Sequence, residues 1–250
     1  MDIRDRVAIV TGAGAGTGRV IAEHLAGFGA VVVATDVDKE SAMTVSDGIR
    51  KNGGRSSFVA ADLLDDAGLD AIVLCAQRLS GPHILVNNAG GWGNAEQAFP
   101  DATPDQWRAV LELNLGAPMA LTQRCLPPMA RLGGGAVVNI ASSAGRGGGP
   151  YASPEYGAAK AGLIRFTTSL ADLPTTHNVR VNCVVPNWIG LDRAYAQLAA
   201  MTAAQRAEAP PLIPPEDVAA AVTDFMVDES LTGRVAILEG GQPRTLLDVS

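Results

Sequence analysis

The sequence predicts an α/β fold, a doubly wound sheet of about seven parallel strands with helices on both faces. Three observations predict it. Short apolar runs alternate with longer amphipathic ones from end to end. The short runs are continuously hydrophobic rather than alternating, as strands covered on both faces must be. No linker, composition break or internal repeat divides the 250 residues, so residues 1–250 are expected to form one domain.

In chain order the apolar runs are VAIVT (7–11), AVVVAT (30–35), SFVAA (57–61), ILVN (84–87), AVVNI (136–140), RVNCVV (180–185) and VAILE (235–239). Helical patterns such as TGRVIAEHLAGFG and PEDVAAAVTDFMVD lie between them, the second opened by proline and acidic residues that suit a helix start. Strand–helix alternation with right-handed crossovers gives the parallel, doubly wound arrangement. In such sheets ligands sit beyond the carboxyl ends of the strands, where strand order reverses. Functional residues should therefore fall just after strands.

Bulk composition narrows the function. Hydrophobic residues make up 47% and charged ones 18%, enough for a large core. A net charge of −7 disfavours a nucleic-acid partner, because phosphate binding needs clustered Lys and Arg. No run of 18 apolar residues occurs, so no membrane span is expected. The opening MDIRDRVAIVTG has neither the basic start nor the apolar stretch of a secretory signal. Cys75, Cys125 and Cys183 are far apart and odd in number, and the three histidines are scattered. Disulfides and a metal site are thus not expected, and a cytoplasmic location is.

Each strand end carries small polar or acidic residues. After the first comes TGAGAGTG, with glycines at 12, 14, 16 and 18 and a helix directly after. Gly12, Ala15, Gly16, Thr17 and Gly18 thereby form a loop feeding a helix N-terminus, whose free N–H groups and dipole suit a pyrophosphate. The second strand runs into Asp36, where a carboxylate can accept from both hydroxyls of an adenosine ribose and would repel a 2′-phosphate. That favours NAD over NADP. Asp62 and Leu63 follow the third strand, where an adenine amino group could be reached; Asp62 also suits the N-cap of the next helix. Asn88, Ala89 and Gly90 follow the fourth strand, NIASSAG the fifth, and Pro186 and Ile189 the sixth.

The stretch YASPEYGAAKAG (151–162) adds a chemical group to this framework. A phenol titrates near pH ~10, so it is a poor base unless its anion is stabilised. Tyr156 and Lys160 are four apart, which on a helix places them on one face, and a nearby ammonium favours the phenolate. Tyr151 has no such partner.

TGAGAGTG, NNAG, NIASSAG and YGAAK, in this order and spacing, resemble the signature set of the short-chain dehydrogenase/reductase family, in its single-domain, Rossmann-like branch. The likeness runs from residue 5 to about 242. It implies a tetrad of Asn114, Ser142, Tyr156 and Lys160. Tyr156 would be the acid–base catalyst and would also contact the cofactor, and Lys160 would lower its pKa and bind the nicotinamide ribose. For the serine, motif alignment picks Ser142 and the customary distance to the tyrosine picks Ser143; Ser142 is preferred because a strand end is more rigid than the loop after it. Asn114 would sit in a locally distorted helix.

The chain departs from the family after the sixth strand. Asn187 replaces the usual glycine, and Leu191 stands where a threonine would contact the nicotinamide amide. Asparagine tolerates the left-handed region, so the turn is expected to survive. Residues 191–215 correspond to the family's substrate lid. Trp92 and Trp188 are candidate pocket walls, and Arg146 and Arg193 are candidates to anchor an acidic substrate. The function implied is an NAD-dependent oxidoreductase interconverting a small-molecule secondary alcohol and ketone. The alternatives are a 3-oxoacyl-thioester reductase using NADPH, or a cofactor-binding regulatory protein without turnover. A homo-oligomer is expected, tetramer ahead of dimer.

Overall fold

A computed structural model gives the structure of the chain and describes residues 1–93, 98–147 and 152–247. Seven strands are parallel: β1 (Val7–Thr11), β2 (Val31–Asp36), β3 (Arg55–Ala60), β4 (Ile84–Asn87), β5 (Gly135–Ile140), β6 (Val179–Pro186) and β7 (Val235–Leu238). An eighth, β8 (Thr245–Leu247), folds back antiparallel on β7. Strand order is β3-β2-β1-β4-β5-β6-β7-β8, so the chain reverses direction of winding between β1 and β4. Periodicity does not mark β8, because three exposed residues are too short to show it. β3 begins two residues earlier than its apolar run: Arg55 and Ser56 pair with Val31 and Val32 through the backbone, which hydrophobicity does not register.

The helices are α1 (Gly16–Gly27), α2 (Lys39–Lys51), α3 (Asp66–Arg78), α4 (Pro104–Leu111), α5 (Ala117–Arg131), α6 (Pro154–Ser169), α7 (Pro174–His177), α8 (Asp192–Ala200), α9 (Ala203–Glu208) and α10 (Pro215–Val227). Successive strand residues point to opposite faces. Ala8 and Val10 pack with Ile21 and Leu25 of α1 and Phe225 of α10. Val7 and Ile9 face the other way, onto Ile72 of α3 and Leu121 and Met129 of α5. A third cluster sets Leu163 of α6 against Cys183 and Val185 of β6 and Ile237 of β7. Covering both faces leaves the carboxyl edge of the sheet as the open ground for a site.

Residues 191–215 form α8 and α9 and return to the sheet's end, where Ile213 donates its N–H to the Trp188 carbonyl at 2.8 Å. Among the described residues no helix is long and apolar enough to cross a membrane.

Candidate active site

At the reversal between β1 and β4, the end of β1 is tied to the end of β4. Thr11 Oγ1 accepts from the Asn88 and Ala89 N–H groups, each at 3.0 Å, and Asn88 Nδ2 donates to the Thr11 carbonyl at 2.9 Å. Thr11 was not singled out from sequence, since a threonine closing a strand has nothing to distinguish it. Gly12 and Gly16 hold φ of +62° and +53°, which glycine adopts without strain. A Cβ on Gly18 would overlap the Gly12 carbonyl oxygen and the Asn88 amide, so only glycine lets α1 approach the loop.

Ala15 precedes α1 and has no side-chain oxygen to cap it, and the first turn holds no acidic residue. Its leading N–H groups and positive dipole end therefore suit an anion. Asp36, half-buried at the end of β2, accepts from Gly14 N–H at 3.0 Å through one oxygen and from Asp38 N–H at 3.1 Å through the other. The glycine cradle, the uncapped helix start and this carboxylate fit a dinucleotide. Asp62 and Leu63 lie just past β3. Asp62 does not cap α3: it accepts from Leu64 N–H at 2.9 Å, and Asp65 is the N-cap, accepting from Ala67 N–H.

Asn114 is fully buried in a five-residue π-helical turn, Glu112–Gly116, joining α4 to α5. Wide turns of this kind concentrate at functional sites. Its Nδ2 donates to the Gly91 and Val110 carbonyls at 2.7 and 2.8 Å, and its Oδ1 accepts from Gly91 N–H at 3.1 Å. The side chain thus pins Gly91, directly after Asn88-Ala89-Gly90, onto the wide turn.

Tyr156 and Lys160 lie one turn apart on α6. Lys160 is buried, its Nζ donates to the Ile140 carbonyl at 3.0 Å, and it stands 5.5 Å from the centre of the Tyr156 ring. Burial brings the ammonium down to about 8. The neighbouring Cys183 thiol is pushed up to about 12 by the same burial, so it stays neutral. Among the described residues no carboxylate pairs with Lys160. Tyr151 lies outside the described residues.

Ser142 and Ser143 follow β5 and diverge. Ser142 Oγ accepts from Ala144 N–H at 3.2 Å and caps a short 3₁₀ turn, Ser143–Arg146. Ser143 Oγ donates to Asn187 Oδ1 at 3.1 Å. Asn187 thereby gains a role that a glycine could not fill, and the turn contains no left-handed asparagine: Asn187 is outside that region, while Asn178 is inside it. Pro186 is buried at the end of β6, and Ile189 bridges to Ile213. The Leu191 side chain lies over the glycine loop, with Cδ1 3.3 Å from where a Cβ on Gly16 would be.

Trp92 meets Tyr156 edge to face, with ring centres 5.8 Å apart and planes at 90°. Arg193, at the start of α8, stacks on the Trp92 ring at 3.9 Å. Arg146 instead pairs with Glu239 at 3.3 Å. Trp188 is held through its backbone, at the return of the 191–215 segment.

Comparison with known proteins agrees with this fold. A family model described as short chain dehydrogenase matches residues 6–199. A 4-formylbenzenesulfonate dehydrogenase of Comamonas testosteroni is 35% identical, covering 97% of this chain and 99% of its own. The 3-oxoacyl-(acyl-carrier-protein) reductase FabG of Escherichia coli is 32% identical, covering 96% and 98%. Among solved structures, a 7 alpha-hydroxysteroid dehydrogenase complexed with NADH and 7-oxo glycochenodeoxycholic acid superposes with a TM-score of 0.85 at 30% identity, covering 98% of each chain.

Proposed function

The chain belongs to the short-chain dehydrogenase family, and from that premise we propose that it interconverts a secondary alcohol and a ketone with NAD, Tyr156 moving the proton. The observation that supports this is the Tyr156–Lys160 pair one turn apart on α6, in a chain whose glycine loop and uncapped helix start suit a dinucleotide. A bound nicotinamide supplies or removes the hydride. Gly12, Ala15, Gly16, Thr17 and Gly18 would hold the pyrophosphate, Asp36 the ribose, and Asp62 and Leu63 the adenine. Asn88, Ala89, Gly90, Pro186 and Ile189 would line the remainder of the cofactor cleft.

During reduction Tyr156 gives its proton to the substrate oxygen as negative charge develops there, and during oxidation it takes that proton back. The Lys160 ammonium stabilises the phenolate left behind. A serine hydroxyl holds the substrate oxygen, and Asn114 keeps the loop after β4 in place. Ser142 remains the choice for the hydroxyl. Ser142→Ala is then expected to lower kcat by about 10²-fold, and Ser143→Ala, which breaks only the Asn187 contact, by less than about tenfold. Initial rates for both variants decide it, and the reverse order assigns the role to Ser143.

The NADPH-dependent 3-oxoacyl-thioester reading is the second, favoured by the full-length likeness to FabG. Asp36 weighs against it, because its carboxylate would face the extra phosphate. NADH is expected to bind at least about tenfold more tightly than NADPH, and Asp36→Ala to narrow that preference, both read by titration of purified protein. Tighter NADPH binding would overturn the assignment of Asp36. The Comamonas relative widens the screen to aromatic aldehydes. Residues 191–215 serve as the substrate lid in this reading. A homo-oligomer, tetramer ahead of dimer, is supported by Ala158 and Ala161, small residues exposed on α6. A cytoplasmic location accords with the three unpaired cysteines.

A further inference from the structure

Arg193 differs from the arginines that are held in ion pairs. Arg50, Arg55, Arg108, Arg124, Arg146 and Arg244 each pair with a carboxylate. Arg180 is spent on backbone carbonyls. Among the described residues Arg193 pairs with no carboxylate and makes one contact, the face of its guanidinium on the Trp92 ring. Stacking uses the plane of the group and leaves its edge donors free, in the fork that matches a carboxylate or sulfonate. Trp92 in turn touches Tyr156, so this fork sits one aromatic ring away from the reacting phenol.

We propose that Arg193 is a substrate-binding residue that receives a carboxylate or sulfonate on a substrate whose carbonyl lies at Tyr156, with Trp92 as the wall for the apolar body between. The substrate class is an oxo-acid, or the matching hydroxy-acid, with the anion separated from the carbonyl by roughly a ring's width. The inference rests on the oxidoreductase reading of the cleft. A chain of net charge −7 repels anions in general, so a local cation is what admits one. The position on α8 places this anchor in the 191–215 segment.

Calorimetric titration of the purified protein with 4-acetylbenzoate and with its neutral analogue 4-acetylbenzamide tests the anchor without turnover. The acid is expected to bind about tenfold more tightly, by a margin that shrinks as salt is raised. Arg193→Gln should bring the two ligands to within about twofold of each other. Arg206→Gln, which removes the same charge from α9, should preserve the margin. Equal binding of the two ligands by the wild type overturns the proposal, as does absence of binding by either. So does an equal weakening of both in Arg193→Gln, the mark of a residue that only latches α8 onto Trp92. Rates with NADH and NADPH separate the two levels. A margin for the acid with neither ketone reduced counts against the oxidoreductase reading and leaves the anchor standing. Reduction of the amide with no margin for the acid does the opposite.

Discussion

Tyr156→Phe is expected to lower turnover by about 10²- to 10⁴-fold while NADH binding and thermal stability stay near wild type. Only the hydroxyl is removed. The ring that meets Trp92 edge to face and lies beside Lys160 remains, so packing changes little. The variant keeps every group assigned to the cofactor's pyrophosphate and adenosine. What disappears is the proton that must reach the substrate oxygen as hydride arrives, and water, unpositioned, is a poor substitute. Initial rates in both directions, with an NADH titration and a melting curve on the same sample, are the measurement. Turnover within about tenfold of wild type would remove Tyr156 from the acid–base role. A wild type that binds NADH yet turns over no alcohol or carbonyl, and keeps its partner in the variant, would favour the regulatory alternative.

Lys160→Met is expected to give a comparable loss of turnover together with a changed dependence of stability on pH. The loss follows from removing the charge that favours the phenolate. The stability effect has a definite sign. The folded chain holds Lys160 at about 8 against an ordinary value of 10.5, because burial disfavours the ammonium. Between those values the unfolded chain binds more protons than the folded one, so the wild type gains stability as pH rises through this window. Below pH 8 the cost of burying the charge is present in full. The gain across the window is of the order of 3 kcal/mol, and the methionine variant lacks it. In the variant the Ile140 carbonyl loses its donor, which costs about 1–3 kcal/mol at every pH. Denaturant midpoints for both proteins at pH 7 and pH 10 measure the difference. Parallel pH curves would show that Lys160 is not held below its ordinary value.

The strands could be read from the sequence because strands covered on both faces leave uninterrupted apolar runs. β1 and β4 lie where VAIVT and ILVN stand, and the other parallel strands shift by one or two residues at an end. The glycine loop was legible because close backbone approach restricts Gly12, Gly16 and Gly18 by sterics alone. Tyr156 and Lys160 were legible because four residues of helix is a local relation. Asn114 was expected in a distorted helix, and it sits in a π turn. Other features carried no local signal. Asp62 suits a cap on paper, yet the cap of α3 is Asp65, because the helix starts later than the strand end suggests. Ser142 and Ser143 differ in direction, and direction depends on the 3₁₀ turn and on Asn187, 44 positions away.

By itself the sequence determined the doubly wound sheet and the small polar and acidic residues that gather where its strands end. These follow from periodicity, glycine sterics and spacing within one element, all written in short stretches of chain. The tertiary structure alone decided which arginine is committed to an ion pair and which lies on an aromatic ring beside Tyr156. Arg146 and Arg193 look alike as residues, yet one meets Glu239 and the other meets Trp92 beside Tyr156. Those partners lie about a hundred positions away in the chain, and contact between such distant segments exists only once the sheet has brought their loops to one edge.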